Sequence, residues 1–283
     1  MADQAAEAEE VIFSVSKKKI KNVKMFKFSV IDIINIFVIV YLMLPIVIIL
    51  LFSFNAKSAA MFPMAGLTIK WYKKVLTDYK FISALKNSIY VGIVVAAVSV
   101  IIGSLASIAL TRYNFKFKKF VTFSVLVPIT LPPIVLGVAL LSFFSSIGFT
   151  RSLLTVMISH VLFCTPFVIL ILNSRLEGFD LSIEDAAMDL GATRAQTFRY
   201  ITFPLIRPSI IGAAMLTFAL SFDEFLVTFF IVGKQNTLPI VIWGMLRRGV
   251  SPVINAIATM VLIISMTLII VANRFAKLRL RKN

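Results

Sequence analysis

Apolar and polar positions alternate along this chain in long blocks rather than in a two-residue or 3.6-residue rhythm. Six blocks stay apolar for about 20 residues or more, the length a helix needs to cross the hydrocarbon of a bilayer. They run from Val30 to Phe54, Ser88 to Leu110, Phe120 to Ile147, Ser152 to Leu172, Ser209 to Val232 and Val253 to Ala272. The pattern predicts an all-α, polytopic membrane protein with a tail over residues 1–29, a six-helix transmembrane domain over 30–273 and a second tail over 274–283. An even number of spans puts both tails on one side. The tails, with the loops Thr111 to Lys119 and Asn173 to Pro208, carry 19 of the 29 Lys and Arg residues, and the opposite loops carry 10. The positive-inside rule then assigns both termini to the cytoplasm.

Composition agrees with that class and removes others. The 283 residues are 59% hydrophobic and only 15% charged, with a mean hydropathy of +0.97, whereas about a quarter of a soluble domain is charged. A single Cys excludes a disulfide scaffold, and 26 Phe exclude a disordered chain. The net charge of +16 is read as cytoplasmic loops and contact with lipid head groups, with no nucleic-acid partner. The run Lys17, Lys18, Lys19, Lys21, Lys24 and Lys27 before the first span fits such contact. Met1 to Glu10 is acidic, the wrong charge for a secretory leader, so the first span is expected to stay attached.

The polar exceptions inside the spans narrow the chemistry. Asp32 lies about a turn inside the first span, within reach of Lys27 or the surface. Pro128, Pro132 and Pro133 in the third span each remove a backbone donor, which predicts a kink or break; it serves either a pathway or packing alone. His160 and Cys164, the only His and Cys, face one side of the fourth span at i and i+4. Two ligands do not make a zinc site, and no orienting group for a catalytic dyad lies nearby, so both are expected to pack helices. No G-x-x-x-x-G-K-[ST] loop occurs, so any ATP must be bound by another chain.

The loop over 173–208 is 36 residues long, far beyond an ordinary helix connection. Within it, Leu181 to Gly191 reads as a short exposed helix, with Ser182 as cap, Asp185 completing a capping box and Gly191 ending it. A second helical stretch starts at Thr193, punctuated by Pro204 and Pro208. A helix this small cannot bury Ile183, Ala187 and Leu190 by itself, which predicts a partner with a groove. Asp185-Ala186-Ala187, Gly191 six residues after the Asp, and then Ile201 and Pro204 resemble the E-A-A-x3-G-x9-I-x-L-P signature of permease subunits of bacterial ABC importers, with Asp185 in place of Glu and Phe203 in place of Leu. The resemblance implies the type I importer permease fold, a bacterial inner-membrane location and a coupling helix. Glu184, Asp185, Ala186, Ala187, Gly191, Ile201 and Pro204 would then engage an ATPase subunit dimer.

The fifth span contains Ser221-Phe222-Asp223-Glu224. Asp223 lies about 21 Å beyond Ser209 along a helix, past the midplane, where a charge costs roughly 2.5–3.5 kcal/mol. Ser221 and Glu224 can line one face of a helix, whereas the adjacent carboxylates diverge by about 100°. The pair either attracts a cation along a route or is neutralised inside the bundle by Lys234, Arg247 or Arg248. Leu238-Pro239, Gly249-Val250-Ser251-Pro252, Asn255-Ala256, Trp71-Tyr72 and Ala84-Leu85-Lys86-Asn87-Ser88 extend the resemblance to the second permease of spermidine/putrescine-type importers. That likeness implies that Ser221, Asp223 and Glu224 serve a substrate pathway. It also implies a second homologous permease, an extracytoplasmic substrate-binding protein, no cofactor or metal in this chain, and no catalysis by it. One departure is Pro133, where spermidine-type permeases carry an acid. The same permease class also serves opines, amino-acid derivatives, aminophosphonates, thiamine and ferric ion, and an ion-gradient-driven transporter is the further alternative.

Overall fold

The computed structural model describes residues 30–57, 63–249 and 251–280, with side chains through residue 267. The basic run before the first span, Val250 and the last three residues lie outside the described residues. Among those described, the regular structure is helical apart from one isolated bridge between Asn55 and Leu67. The helices are α1 (Val30–Ser53), α2 (Lys70–Thr77), α3 (Tyr79–Arg112), α4 (Lys118–Thr130), α5 (Pro133–Ser146) and α6 (Leu153–Glu177). They continue as α7 (Ser182–Asp189), α8 (Arg194–Thr197), α9 (Phe203–Asp223), α10 (Leu226–Ile231), α11 (Leu238–Leu246) and α12 (Pro252–Leu280).

Four described helical runs are long and apolar enough to cross a membrane: α1, α3, α6 and the continuous stretch Arg194–Asp223. The pair α4 and α5, bent by 107°, forms a fifth, and α12 supplies a shorter apolar helix over Pro252–Thr267. Each of the six apolar blocks therefore yields helix, but the third and fifth are not single rods. In the third, Leu131 and Pro132 take extended ψ values of 137° and 133°. A residue preceding proline is driven out of the helical region, and two such residues in succession separate α4 from α5. Pro128 is tolerated within α4.

Helix α3 starts nine residues before the apolar block because the Asp78 carboxylate accepts from the Lys80 and Phe81 N–H groups at 2.8 and 3.4 Å. At the other end, α12 continues as helix to Leu280, through most of the stretch expected as a tail. The segment after the fifth block, expected as a plain external loop, contains the apolar helix α11, with Pro239 in its first turn.

Helix α1 up to Leu50 forms one unit and the chain from Leu51 another. In α1 the side chains from Val30 to Leu50 are exposed almost throughout, as suits a helix solvated by lipid tails. In the second unit α3 packs along α6, and α9 crosses both. A Cβ on Gly103 would lie 2.6 Å from that of Val168, so the glycine is what lets α3 and α6 approach there. Val91 and Val95 of α3, Leu136 and Phe144 of α5, Val156 and Cys164 of α6, and Val227 and Ile231 of α10 close one buried cluster. Trp71, Val75, Phe81, Leu238, Ala256 and Ile257 form another, which seats α2 and α11 against α3 and α12. The Trp71 indole N–H donates to the Asn55 carbonyl at 2.7 Å, and the Ser53 and Tyr72 hydroxyls bond at 2.6 Å.

Candidate functional site

The fifth apolar block breaks at its two acids. Helix α9 ends at Asp223, Glu224 turns to ψ 114°, and α10 begins at Leu226. A single helix through Val232, as the apolar run predicts, is thus replaced by a corner. The cause lies in Glu224: its Oε1 accepts the Val227 N–H at 2.8 Å, capping α10, while its carbonyl accepts the Thr228 hydroxyl at 3.0 Å. The carboxylates are consequently divided. Glu224 is half-buried and committed to the start of α10, whereas Asp223 is exposed at the end of α9. It opens on a cavity of about 220 Å³ lined by Phe222, Phe225, Leu238, Pro239, Ile242 and Trp243 among others. Neither acid pairs with Lys234, Arg247 or Arg248; among the described residues the only ion pair is Arg112–Glu184.

Ser221 and Glu224 do not share a face as the unbroken spacing predicts. Ser221 is 4% exposed, and its hydroxyl bonds His160 Nδ1 at 2.8 Å. His160, 1% exposed, reaches Thr228 beyond the corner with Nε2 at 2.9 Å, so one imidazole touches both halves of the broken span. Cys164, a turn along α6, points its thiol at the Thr217 carbonyl. Both residues pack α6 against α9, as their spacing suggested, but the bridge across the corner was invisible without the break. Its trace in the sequence is the row of hydroxyls Thr217, Ser221 and Thr228 on either side of the two acids in an apolar run.

The polar loop builds a second site. Ser182 is the first residue of α7 rather than its cap, and its own N–H is held by the Asp180 carboxylate at 3.0 Å. This Asx turn replaces the expected Ser182–Asp185 capping box. Hydrogen bonds with the Ser182 backbone and side chain hold the Asp180 carboxyl below the usual carboxylate range. Gly191 has φ +90°, and the N–H groups of Gly191 and Ala192 return to the carbonyls of Met188 and Ala187 at 2.9 and 3.0 Å, a Schellman ending. Thr193 then starts α8 in a reciprocal capping box with Gln196. Neither Pro204 nor Pro208 interrupts the helical run from α8 into α9. Ile201 lies in a π-helical turn, Phe198–Thr202, directly before Pro204, and this wider turn carries the helix past the missing proline donor.

Glu184 does not face outward. Its Oε1 accepts from the Arg112 guanidinium at 2.7 Å and from the Thr202 hydroxyl at 2.5 Å, and Arg112 lies over the Phe179 ring, 5.3 Å away. The basic group it meets belongs to its own chain, at the end of α3. Asp185 and Ala186 are exposed, Ala187 is half-buried, and Ile183, Met188 and Leu190 present apolar surface, with Leu190 91% exposed.

Residues 99–282 match the family of binding-protein-dependent transport system inner membrane components. The chain belongs to this family. It is 35% identical over 244 residues to the spermidine/putrescine transport system permease protein PotC of Escherichia coli K12, covering 86% of this chain and 92% of that one. It is also 35% identical over 230 residues to the putrescine transport system permease protein PotI of the same strain, covering 78% and 82%. Among solved structures, a chain of a bacterial ABC transporter that imports alginate superposes with a TM-score of 0.67 at 17% identity, covering 88% of this chain and 98% of that one. A chain of the inward-facing MetNI methionine transporter gives 0.61 at 17% identity, covering 69% and 94%. The fold is thus that of type I ABC importer permeases. Like other members of this family, the chain is a non-catalytic, multi-pass inner-membrane subunit of a multi-subunit importer.

Proposed function

We propose that this permease conducts a polyamine, spermidine or putrescine, or a related small cationic amine, past the corner at Asp223. The observation that carries the reading is the placing of Asp223. An acid at the C-terminal end of a 21-residue helix opposes the helix dipole and costs stability where it stands. A cation bound there offsets both the carboxylate and the partial charge of the unpaired carbonyls at the helix end. Phe222, Phe225 and Trp243 line the same cavity, and aromatic faces attract ammonium groups and accept methylene chains. The 35%-identical relatives named for spermidine and putrescine support the same substrate class.

In the working cycle a substrate-binding protein delivers the amine from outside to a pore made by this chain and a second, homologous permease. Both termini and the α7 loop face the cytoplasm, where the loop docks on one subunit of an ATPase dimer. Asp185, Ala186 and the apolar side chains of Ile183 and Leu190 meet the ATPase. Glu184 holds α7 to α3 through Arg112 and to the foot of α9 through Thr202, so movement of the docked helix is delivered to α3 and to α9, the span that ends at the corner. ATP and its magnesium belong to the ATPase chain.

The test is uptake of labelled spermidine and putrescine by cells expressing the whole transporter, against a panel of amino acids, opines and aminophosphonates. Asp223→Asn, alone or with Glu224→Gln, is expected to lower amine uptake about tenfold or more at unchanged membrane abundance, by the cost of leaving an ammonium unpaired in an apolar site. Uptake of another substrate class, with no amine transport by an assembled and ATP-hydrolysing complex, would overturn the substrate. Loss of uptake only in proportion to abundance would overturn the pathway role.

A further inference from the structure

His160 sits where the pathway reading needs rigidity, although it touches no substrate cavity. Its ring is wholly inside the bundle, with Phe163 edge-on at 5.4 Å between ring centres. Its two nitrogens reach residues on opposite sides of the break, Ser221 in the last turn of α9 and Thr228 in the first turn of α10. One arrangement of the hydrogens serves every group in the chain. The Thr228 hydroxyl lies within donating distance of the Glu224 carbonyl, and with its proton there it accepts from the imidazole. Nε2 therefore carries the hydrogen, and Nδ1 accepts the Ser221 proton. The chain of donors runs Ser221 to His160 to Thr228 to the Glu224 carbonyl and ends on the residue whose ψ makes the corner. Elsewhere on α6, the Thr155 hydroxyl lies 3.0 Å from the Ile231 carbonyl at the far end of α10 and 2.7 Å from the Ser152 carbonyl of its own capping turn, and Cys164 faces the Thr217 carbonyl one turn back in α9. Helix α6 thus runs as a splint along the broken span, and among the described residues the imidazole is the α6 side chain whose hydrogen bonds reach both pieces.

We infer that His160 is a positioning residue for transport: it fixes the angle between α9 and α10 and thereby the place of Asp223 at the cavity. The inference rests on the pathway reading of Asp223. Neither natural amide replaces the imidazole, because Asn reaches only as far as Nδ1 and Gln mimics only Nε2, so each restores one side of the bridge.

The experiment uses the assembled transporter in proteoliposomes with its binding protein, measuring labelled spermidine uptake and ATP hydrolysis in the same vesicles for His160→Leu, His160→Gln, Ser221→Ala, Thr228→Val and the triple variant. Removal of the bridge is expected to lower amine moved per ATP about fivefold, the scale of one or two buried hydrogen bonds, while binding-protein-stimulated hydrolysis is retained. His160→Gln should recover part of that loss and the triple variant should add nothing to His160→Leu. A fall of uptake and hydrolysis together, in proportion to assembled complex, or additive losses in the triple variant, would overturn the positioning role and leave a packing residue. A second reading does not depend on the substrate: the rate at which Phe225→Cys reacts with a membrane-impermeant maleimide should change at least about threefold when His160 is replaced. An unchanged rate would overturn the inference even if amine transport is confirmed, and a changed rate would uphold it even if the transported substrate proves to be something else.

Discussion

The two adjacent acids show how far a single residue's environment decides its work. Glu224 and Asp223 differ by one methylene and one position, yet the first caps α10 through the Val227 N–H and the second stands open at a helix end beside Trp243. Separate substitutions should therefore have separate signatures. Glu224→Gln keeps an acceptor for the cap and should be milder than Asp223→Asn, which removes the charge alone. Trp243→Leu preserves the apolar lining but not the π face, and amine uptake should fall about three- to tenfold at equal abundance, the size of one cation–π contact; an unchanged rate would remove the ring from the site. The sequence made the acids conspicuous through their cost in an apolar run. It could not divide their roles, because the division depends on a break that no Pro or Gly marks: Ser221 to Leu226 contains neither.

At the level of elements, the proposed mechanism rests on helix ends and joints. Gly191, with φ +90°, occupies the left-handed position that costs other residues roughly 1–2 kcal/mol. Gly191→Ala should loosen the loop and lower uptake partly, and Gly191→Pro, which also removes the N–H bonded to Met188, should abolish ATP-coupled uptake in a chain that still inserts. The Arg112–Glu184 pair has side chains only 18% and 17% exposed, so Arg112→Ala leaves a shielded carboxylate with Thr202 alone and should destabilise the joint by about 1–3 kcal/mol. If the joint transmits movement, the Arg112→Glu/Glu184→Arg exchange should regain uptake that either single reversal loses; no recovery would mean the pair is incidental. Asp180 behaves differently under titration. Its folded-state value is depressed by hydrogen bonds with Ser182, so its contribution is complete above the unfolded value of about 3.9 and is lost only as pH falls through the lower, folded one. Hydrogen-exchange protection of the Ser182 amide should be equal at pH 5 and pH 8 in the wild type and absent at both in Asp180→Ala.

For the whole molecule, the apolar blocks announced where helices would be, since burial in lipid demands helix and about 20 residues of it. They did not announce their shapes. The bend between α4 and α5 was legible because successive prolines have a fixed local effect; α11 was missed because nine residues are too few to register as a span. The loop's short helix and its ending at Gly191 were legible, because left-handed glycine is local physics, but the expected Ser182–Asp185 capping box is replaced by an Asx turn on Asp180. Nor was the place of Glu184 legible, because its partner Arg112 is 72 positions away. Orientation is testable directly: a protease site placed after Leu190 should be cut only from the cytoplasmic face, and cutting from outside would reverse the assignment of both termini. The bareness of that loop also bears on how the cell counts its subunits. Leu190, Ile183 and Met188 stand uncovered, which is how a chain advertises itself to quality-control proteases. In cells lacking the ATPase this subunit should turn over faster than in cells that make it, so its steady-state amount is expected to track the supply of its partner rather than its own rate of synthesis.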